Sequence, residues 1–446
     1  MCRILKLFKF CCFLLPALLL FNCGILYGQD KYLNEAHEVF TAISKGDYLK
    51  ATSFFDSTLK TKMDAGQLSY MWGSVEEQMG KIKPLAMRLP WSESNDSLIT
   101  WIYPCDFEKK ASDLKMVFNM NGMIVGFFLV PPTLKNTYRP PSWIPAGAVL
   151  EQEVTIPSAG FFLKGAFTVP ANKTKFPVIV MVQGSGPLDM DVTIGPNKFF
   201  KDLAMMLAAN GIASVRYHKR TAAYNNELRM AIESMSPFDE TVEDAVNVIG
   251  SVSQLKGVDP ENIFVLGHSF GGMMAPDIVF RSQHLKGIIL VAANARPLPV
   301  LIKEQFRYLM ENDSTSQITS SLMQEVEQKC SEILNKNFAN AKNLLPGTGP
   351  NYWKYLSDYD QVAALKSLPA PALILQGERD YQVTMTDYNL WHTALSSDPK
   401  YTFHSFPGLN HLFMEGKHRS VPAEYLKRGT VHKDVADKIA TWINGL

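Results

Sequence analysis

Three residues of this chain stand where covalent hydrolytic chemistry would need them. Ser269 is the centre of Gly267-His268-Ser269-Phe270-Gly271, which follows the apolar run 262–266 and precedes a helical pattern. A Gly-x-Ser-x-Gly segment between strand and helix makes a sharp turn, and its glycines remove side chains that would collide with both neighbours. The turn lifts the hydroxyl at the carboxyl end of a sheet. A serine hydroxyl is a poor nucleophile at neutral pH, so a histidine must take its proton, and an acid must hold that histidine in the right tautomer. Asp380 follows the apolar run 372–376, in Gly377-Glu378-Arg379-Asp380, and His411 follows the strand-like 401–406, in Pro407-Gly408-Leu409-Asn410-His411. The tetrahedral intermediate of acyl transfer also needs two backbone N–H donors. Phe270, directly after the nucleophile, offers one. Ser185, in Gln183-Gly184-Ser185-Gly186-Pro187 after the run 178–182, offers the other, with Gly186 as the alternative.

Each of these residues must be carried by a strand. Runs 151–156 and 161–169 form a hairpin about Ser158-Ala159-Gly160, and the strands at 178–182, 262–266, 287–292, 372–376 and 401–406 alternate with helical patterns. That alternation specifies a mostly parallel sheet with right-handed crossovers. The helix expected at 199–209 stops at Asn210-Gly211, and the one expected at 241–255 opens on Thr241 and Asp244 in a capping-box pattern. Segment 297–359 interrupts the sheet with helices and loops, the position a cap occupies in the hydrolases that the chain resembles. Its Phe306, Tyr308, Trp353 and Tyr355 suit either a pocket wall or plain core. His404 competes with His411, and Asp387 with Asp380, but His404 falls inside a strand and Asp387 one or two helical turns past the strand end.

Upstream, the pattern differs. Helical periodicity covers 35–45, 48–59 and 66–79, followed by strands at 98–103, 114–120 and 123–130 with the hairpin signal Asn121-Gly122. This reads as a small α+β domain over 30–130. Prolines 131, 132, 140, 141 and 145 mark 131–145 as an extended linker. The remaining 146–446 carries every catalytic candidate.

At these motifs the chain resembles a known group. Gln-Gly-Ser-Gly-Pro, then the segment from Gly211 through Arg216-Tyr217-His218-Lys219-Arg220, then Gly-His-Ser-Phe-Gly-Gly and Asn294-Ala295-Arg296-Pro297, is similar to the secreted bacterial α/β-hydrolase esterases of the esterase D type. These are related to the dienelactone hydrolases and to the prolyl-oligopeptidase catalytic domain. Gly46-Asp47-Tyr48, Trp72 and the 121–122 hairpin resemble the uncharacterised domain that precedes such hydrolases, read as a substrate-entrance module or a structural appendage. The resemblance implies an α/β-hydrolase fold, the chain order serine, aspartate, histidine, and a cofactor-free serine carboxylesterase acting on short or medium acyl esters, with acetylated or feruloylated sugars as candidates. A prolyl-oligopeptidase-type serine peptidase is the alternative, although 30–145 lacks the blade repeats of a propeller. A non-catalytic binding protein on a hydrolase scaffold is the third. Two positions depart from the group, which has Asp-Arg-Asp where this chain has Asp189-Met190-Asp191 and Arg-Tyr-Asp-Lys-Arg where it has His218; altered salt bridges near the substrate entrance are expected there.

Composition agrees with an enzyme of small molecules. The 446 residues are 46% hydrophobic and 20% charged with a net charge of +1, and no basic run in the mature region points to nucleic acid. Arg3, Lys6 and Lys9 followed by the apolar 10–21 read as a signal peptide over 1–28, too short for a comfortable membrane span, so the mature protein is expected outside the cytoplasm, secreted or periplasmic. Lipidation at Cys23 is a minor alternative, since Phe21-Asn22 makes a poor lipobox. Of 6 cysteines only Cys105 and Cys330 lie beyond that leader and read as free or buried thiols. No cofactor or metal is expected, and the remaining histidines, His268 in the variable position of the turn among them, show no ligand spacing.

Overall fold

Apolar strands and amphipathic helices sort into two units, Met1–Lys135 and Asn136–Leu446, each built around its own hydrophobic core. The computed structural model describes residues 32–82, 91–94, 97–132, 138–228, 230–282, 285–313, 318–342, 344–345 and 347–446. The leader expected over 1–28, with Cys23, lies outside the described residues. Among those residues no helix is long and apolar enough to cross a membrane.

In the first unit, helices α1 (Leu33–Ser44), α2 (Tyr48–Ser53), α3 (Ser57–Lys62) and α4 (Ala65–Met79) precede strands β1 (Trp91–Ser94), β2 (Leu98–Asp106), β3 (Ala111–Asn119) and β4 (Ile124–Val130), which pair antiparallel in that order. Val39, Ile43, Leu68 and Trp72 meet Trp101, Leu114 and Phe118 in its core. The single helix expected over 48–59 is two helices. Asp56 starts α3 by accepting from Leu59 N at 2.7 Å, while Phe54 O and Asp56 N bond to the backbone of Ile124 at the sheet edge. A helix cannot continue through residues whose backbone groups are taken by a strand.

The second unit holds an eight-stranded sheet. Strands β5 (Val149–Ser158), β6 (Phe161–Pro170) and β7 (Phe176–Val182) come first, then the two-residue ribbon β8 (Thr193–Ile194) and β9 (Asn197–Lys198). Next are β10 (Ala213–Tyr217), β11 (Val258–His268), β12 (Gly287–Val291), β13 (Ala372–Gly377) and β14 (Tyr401–Phe406), and the sheet order is β14-β13-β12-β11-β7-β10-β6-β5. β7 and β10 to β14 run parallel; β6 is antiparallel to both its neighbours. The β5–β6 turn is Ala159-Gly160 with φ of 46° and 85°, the paired positive values of a tight two-residue hairpin.

Both faces of this sheet are covered, so its central strands are apolar on every residue rather than on alternate ones. Val178, Val180 and Val182 enter one core with α8 (Glu243–Val252) and α9 (Phe270–Arg281). Ile179 and Met181 enter the other with α5 (Phe199–Ala209) and α15 (Lys433–Asn444). One-turn helices α6 (Arg220–Ala223) and α7 (Asn225–Leu228) follow β10. The insertion after β12 contains α10 (Leu298–Asn312), α11 (Ser320–Leu334) and α12 (Pro350–Ser357), and α13 (Gln361–Ser367) and α14 (Met385–Leu395) flank β13.

Two local expectations change. Helix α8 is entered through a π turn, Phe238–Val242, and its first residue has no side-chain cap. Asp244 does not close a capping box with Thr241, because it accepts instead from Arg220 Nε at 2.9 Å and Ser158 Oγ at 2.5 Å; a tertiary cation outcompetes a local amide. The boundary between the units falls inside the proline-rich 131–145. Beyond it, Ile144 packs on the second unit's core and the Tyr138 ring lies 5.1 Å from Lys201 Nζ.

Candidate active site

The turn around Ser269 has the geometry its sequence demands. β11 ends at His268, α9 begins at Phe270, and Ser269 between them sits at φ 55° and ψ −120°, outside the regions a residue with a Cβ favours. The conformation is held by Ser269 N donating to Val291 O at 2.9 Å and Ser269 O accepting from Met273 N at 3.0 Å. A Cβ on Gly267 would run into Gly271 O, and one on Gly271 into Val182 O, so neither position admits a larger residue without moving backbone. As first residue of α9, Phe270 has an N–H with no intrahelical acceptor, at the positive end of the helix.

Asp380 and His411 are brought together. His411 Nδ1 lies 2.6 Å from Asp380 Oδ2, with both side chains nearly sealed from solvent. The carboxylate is held from every side: Oδ1 accepts from Gln382 N at 2.7 Å and Val383 N at 3.0 Å, and Oδ2 also accepts from Gln376 Nε2 at 3.2 Å. Because a carboxylate accepts, the shared proton belongs on His411 Nδ1 and the lone pair on Nε2. Among the described residues Nε2 makes no hydrogen bond. Its loop is shaped by Asn410 Oδ1, which accepts from Leu412 N and Met414 N, and is clamped by Arg379, which donates to His418 O, Gly408 O and Glu424.

The competing residues are occupied elsewhere. Asp387 accepts from Ala295 N and Arg296 N and pairs with the Arg296 guanidinium at 2.7 Å, anchoring the Asn-Ala-Arg-Pro segment at the root of the cap. His404 is paired with Leu375 inside the sheet and packs on Phe406.

His268, read as a neutral variable position, connects the two halves of the site. It is 3% exposed, its Nε2 donates to His411 O at 3.0 Å, and the two imidazole centroids are 4.6 Å apart. Burial against Phe199 and Phe200, then the neighbouring His411, hold its pKa well below the ordinary histidine value. Its partner lies 143 residues away, so spacing along the chain carried no signal for this role.

Gly184 packs against the nucleophile: a Cβ there would sit 3.2 Å from Ser269 Cβ and 3.6 Å from Oγ. Ser185 follows it, and Gln183 is anchored by donating to Tyr217 O. A cavity of about 240 Å³ opens beside this loop, lined by Ser185, Gly186, Pro187, Thr221, Glu240 and, from the cap, Tyr352. Of the aromatic cap residues weighed from sequence, Trp353 is fully buried core and Tyr355 bonds to Asp277; Tyr352, next in line to both, is the wall residue. A larger open cleft of about 550 Å³, between α9 and α12, touches none of the five candidates.

The two departures from the esterase pattern meet in space. Met190 N donates to His218 Nδ1 at 3.3 Å, so both positions changed at one contact. Ion pairs stand next to it: Asp191 binds Arg216 Nε and Lys198 Nζ, each at 2.8 Å, and Arg216 reaches Glu151 at 2.5 Å. Burial alone would raise the Asp191 carboxyl, but Arg216 and Lys198 outweigh it and hold it below its ordinary range.

A family model described as "Protein of unknown function (DUF3887)" matches residues 36–127, and one described as "Serine aminopeptidase, S33" matches 197–417. Esterase EstD of Thermotoga maritima is 30% identical over 418 residues, 94% of this chain and 95% of that protein. Among solved structures, Est1E from Butyrivibrio proteoclasticus is 13% identical, covering 66% of this chain and 99% of that one with a TM-score of 0.44. The hyperthermophilic esterase from Pyrobaculum calidifontis is 17% identical, covering 66% and 85%, with a TM-score of 0.43.

Proposed function

The chain belongs to the family of Esterase EstD and is a carboxylic ester hydrolase on the α/β-hydrolase fold; from that premise we propose that Ser269, His411 and Asp380 carry the reaction as nucleophile, base and orienting acid. The observation that supports this most is the 2.6 Å His411–Asp380 bond, which leaves a lone pair on Nε2, together with a serine held on a strained turn. Nε2 takes the Ser269 proton as Oγ attacks the ester carbonyl, and the oxyanion is received by the N–H groups of Phe270 and Ser185. Collapse returns the proton from His411 to the departing alcohol and leaves an acyl-serine. Water, deprotonated by the same nitrogen, releases the acid.

The cavity beside Ser185 sets the acyl group. At ~30 Å³ per water-sized group, its volume of about 240 Å³ holds roughly eight such groups. That suits acyl chains up to about hexanoyl. With p-nitrophenyl esters of graded length, kcat/KM is expected to peak between acetate and hexanoate and to fall for decanoate; a maximum at decanoate would refute this assignment of the cavity. Amide hydrolysis is the second reading, favoured by the aminopeptidase description of the matching family model. Faster turnover of aminoacyl p-nitroanilides than of any ester would select it. Export through the leader 1–28 completes the proposal, and a mature N-terminus near residue 29 on protein recovered outside the cytoplasm is the expected result.

A further inference from the structure

A buried ion pair at the wall of the cavity beside Ser185 takes no part in the proton transfers above. Lys219, on the loop between β10 and α6, is 1% exposed, and its Nζ donates to Glu240 Oε1 at 3.0 Å and to Gly184 O at 2.9 Å. The same ammonium lies 6.0 Å from the centroid of the Phe270 ring, which stacks on Tyr352. Lys219 therefore touches the two segments that present the oxyanion donors.

Its bond to Gly184 O matters because that carbonyl and the Ser185 N–H belong to one peptide unit. In a planar trans peptide the C=O and N–H point in opposite directions, so fixing one fixes the other. A peptide left alone could rotate there, since the residue before it is Gly184, whose backbone no side chain restrains. A cation on the carbonyl removes that freedom and, by polarising the amide, makes its N–H a stronger donor. Gly184 is the residue packed on Ser269, so the peptide's orientation is set at the nucleophile itself.

We infer that Lys219, held in place by Glu240, is a positioning residue that orients the Gly184–Ser185 peptide for oxyanion stabilisation. The inference rests on the reading of Ser185 N–H as an oxyanion donor. A buried pair could equally serve packing alone, and such a pair can often be replaced by apolar residues without loss of stability. The two roles separate in the double variant Lys219→Met/Glu240→Leu, which removes both charges and leaves neither unpaired.

For that variant, with kcat referred to sites titrated by fluorophosphonate, we expect a folded protein with a lowered melting temperature, since the Tyr352 hydroxyl loses the carboxylate it bonds to. Because the loss of an oriented donor is felt in the transition state, kcat should fall about 10- to 100-fold. The inhibition constant of a trifluoromethyl ketone, which binds as an oxyanion, should rise in proportion to the loss in kcat/KM. Lys219→Met alone is the second variant, measured the same way on its titratable fraction, and should show the same loss. Wild-type kcat and an unchanged ketone inhibition constant in either Lys219 variant would overturn the inference and leave the pair a packing element. Full activity of Ser269→Ala would instead overturn the underlying reading, whatever Lys219 does.

Discussion

Acidification should unfold this protein partly through one imidazole. His268 donates from Nε2 to His411 O, so its lone pair is on Nδ1, which is buried without a hydrogen-bond partner among the described residues. A second proton would have to enter there, against Phe199 with ring centroids 4.6 Å apart, and beside His411. Burial and His411 accordingly keep the folded pKa well below 6.5. In the unfolded chain a histidine titrates near 6.5, so below that pH the unfolded state takes up a proton that the folded state refuses. The stability from this group is complete above about pH 6.5 and is lost at about 1.4 kcal/mol per pH unit as the pH falls toward the folded value. For a unit of roughly 300 residues unfolding with about 2.1 cal/mol/K per residue, that limiting slope is about 2 °C per pH unit. His268→Gln places an amide nitrogen near the former Nε2, keeps a donor for His411 O and cannot be protonated. Thermal and urea unfolding of both proteins from pH 7.5 to 4.5 should give lines that diverge below pH 6.5, the wild type falling more steeply by up to about 2 °C per pH unit. Carboxylates titrate in both and cancel in the difference. Parallel lines for wild type and variant would refute the reasoning.

Other outcomes follow from the same geometry. Asp380→Asn should lower kcat by about 10³- to 10⁴-fold on a p-nitrophenyl ester, because the amide favours the wrong tautomer of His411; a loss under tenfold would mean that another group orients the imidazole. In Gly271→Ala the new methyl meets Val182 O, and a loss of at least about 3 kcal/mol, read by urea unfolding, is expected. A chain beginning at Asn136, where the second unit starts, should fold and react with fluorophosphonate, whereas a folded but unreactive truncation would make the first unit part of the site.

Much of this could be read from the chain because the strongest signals were local. Strands buried on both faces announce themselves as unbroken apolar runs, and β14 is found at Tyr401–Phe406, the span its sequence indicated. The Ser269 turn was legible because few sequences besides glycine-flanked ones can make it, and Asp380 and His411 stood out by following strands. What stayed hidden depended on distant partners. Helix 48–59 is cut by pairing with Ile124, Asp244 is taken from its expected cap by Arg220, and His268, Lys219 and Glu240 acquire their roles only when the loops close on them. Tyr352 could not be told from Trp353 and Tyr355 without the orientation of α12, since all three share one short helix.

The central claim is that Ser269 is the nucleophile, and fluorophosphonate labelling with peptide mapping tests it most directly when paired with turnover of p-nitrophenyl butyrate. The wild-type protein should be labelled at Ser269 alone, with loss of activity in step with labelling. Ser269→Ala should remain folded, since the turn is held by Gly267, Gly271 and the backbone bonds to Val291 and Met273, yet take no label and lose at least about 10⁴-fold in kcat. Label on another serine, or a folded Ser269→Ala protein hydrolysing the ester near the wild-type rate, would contradict the account.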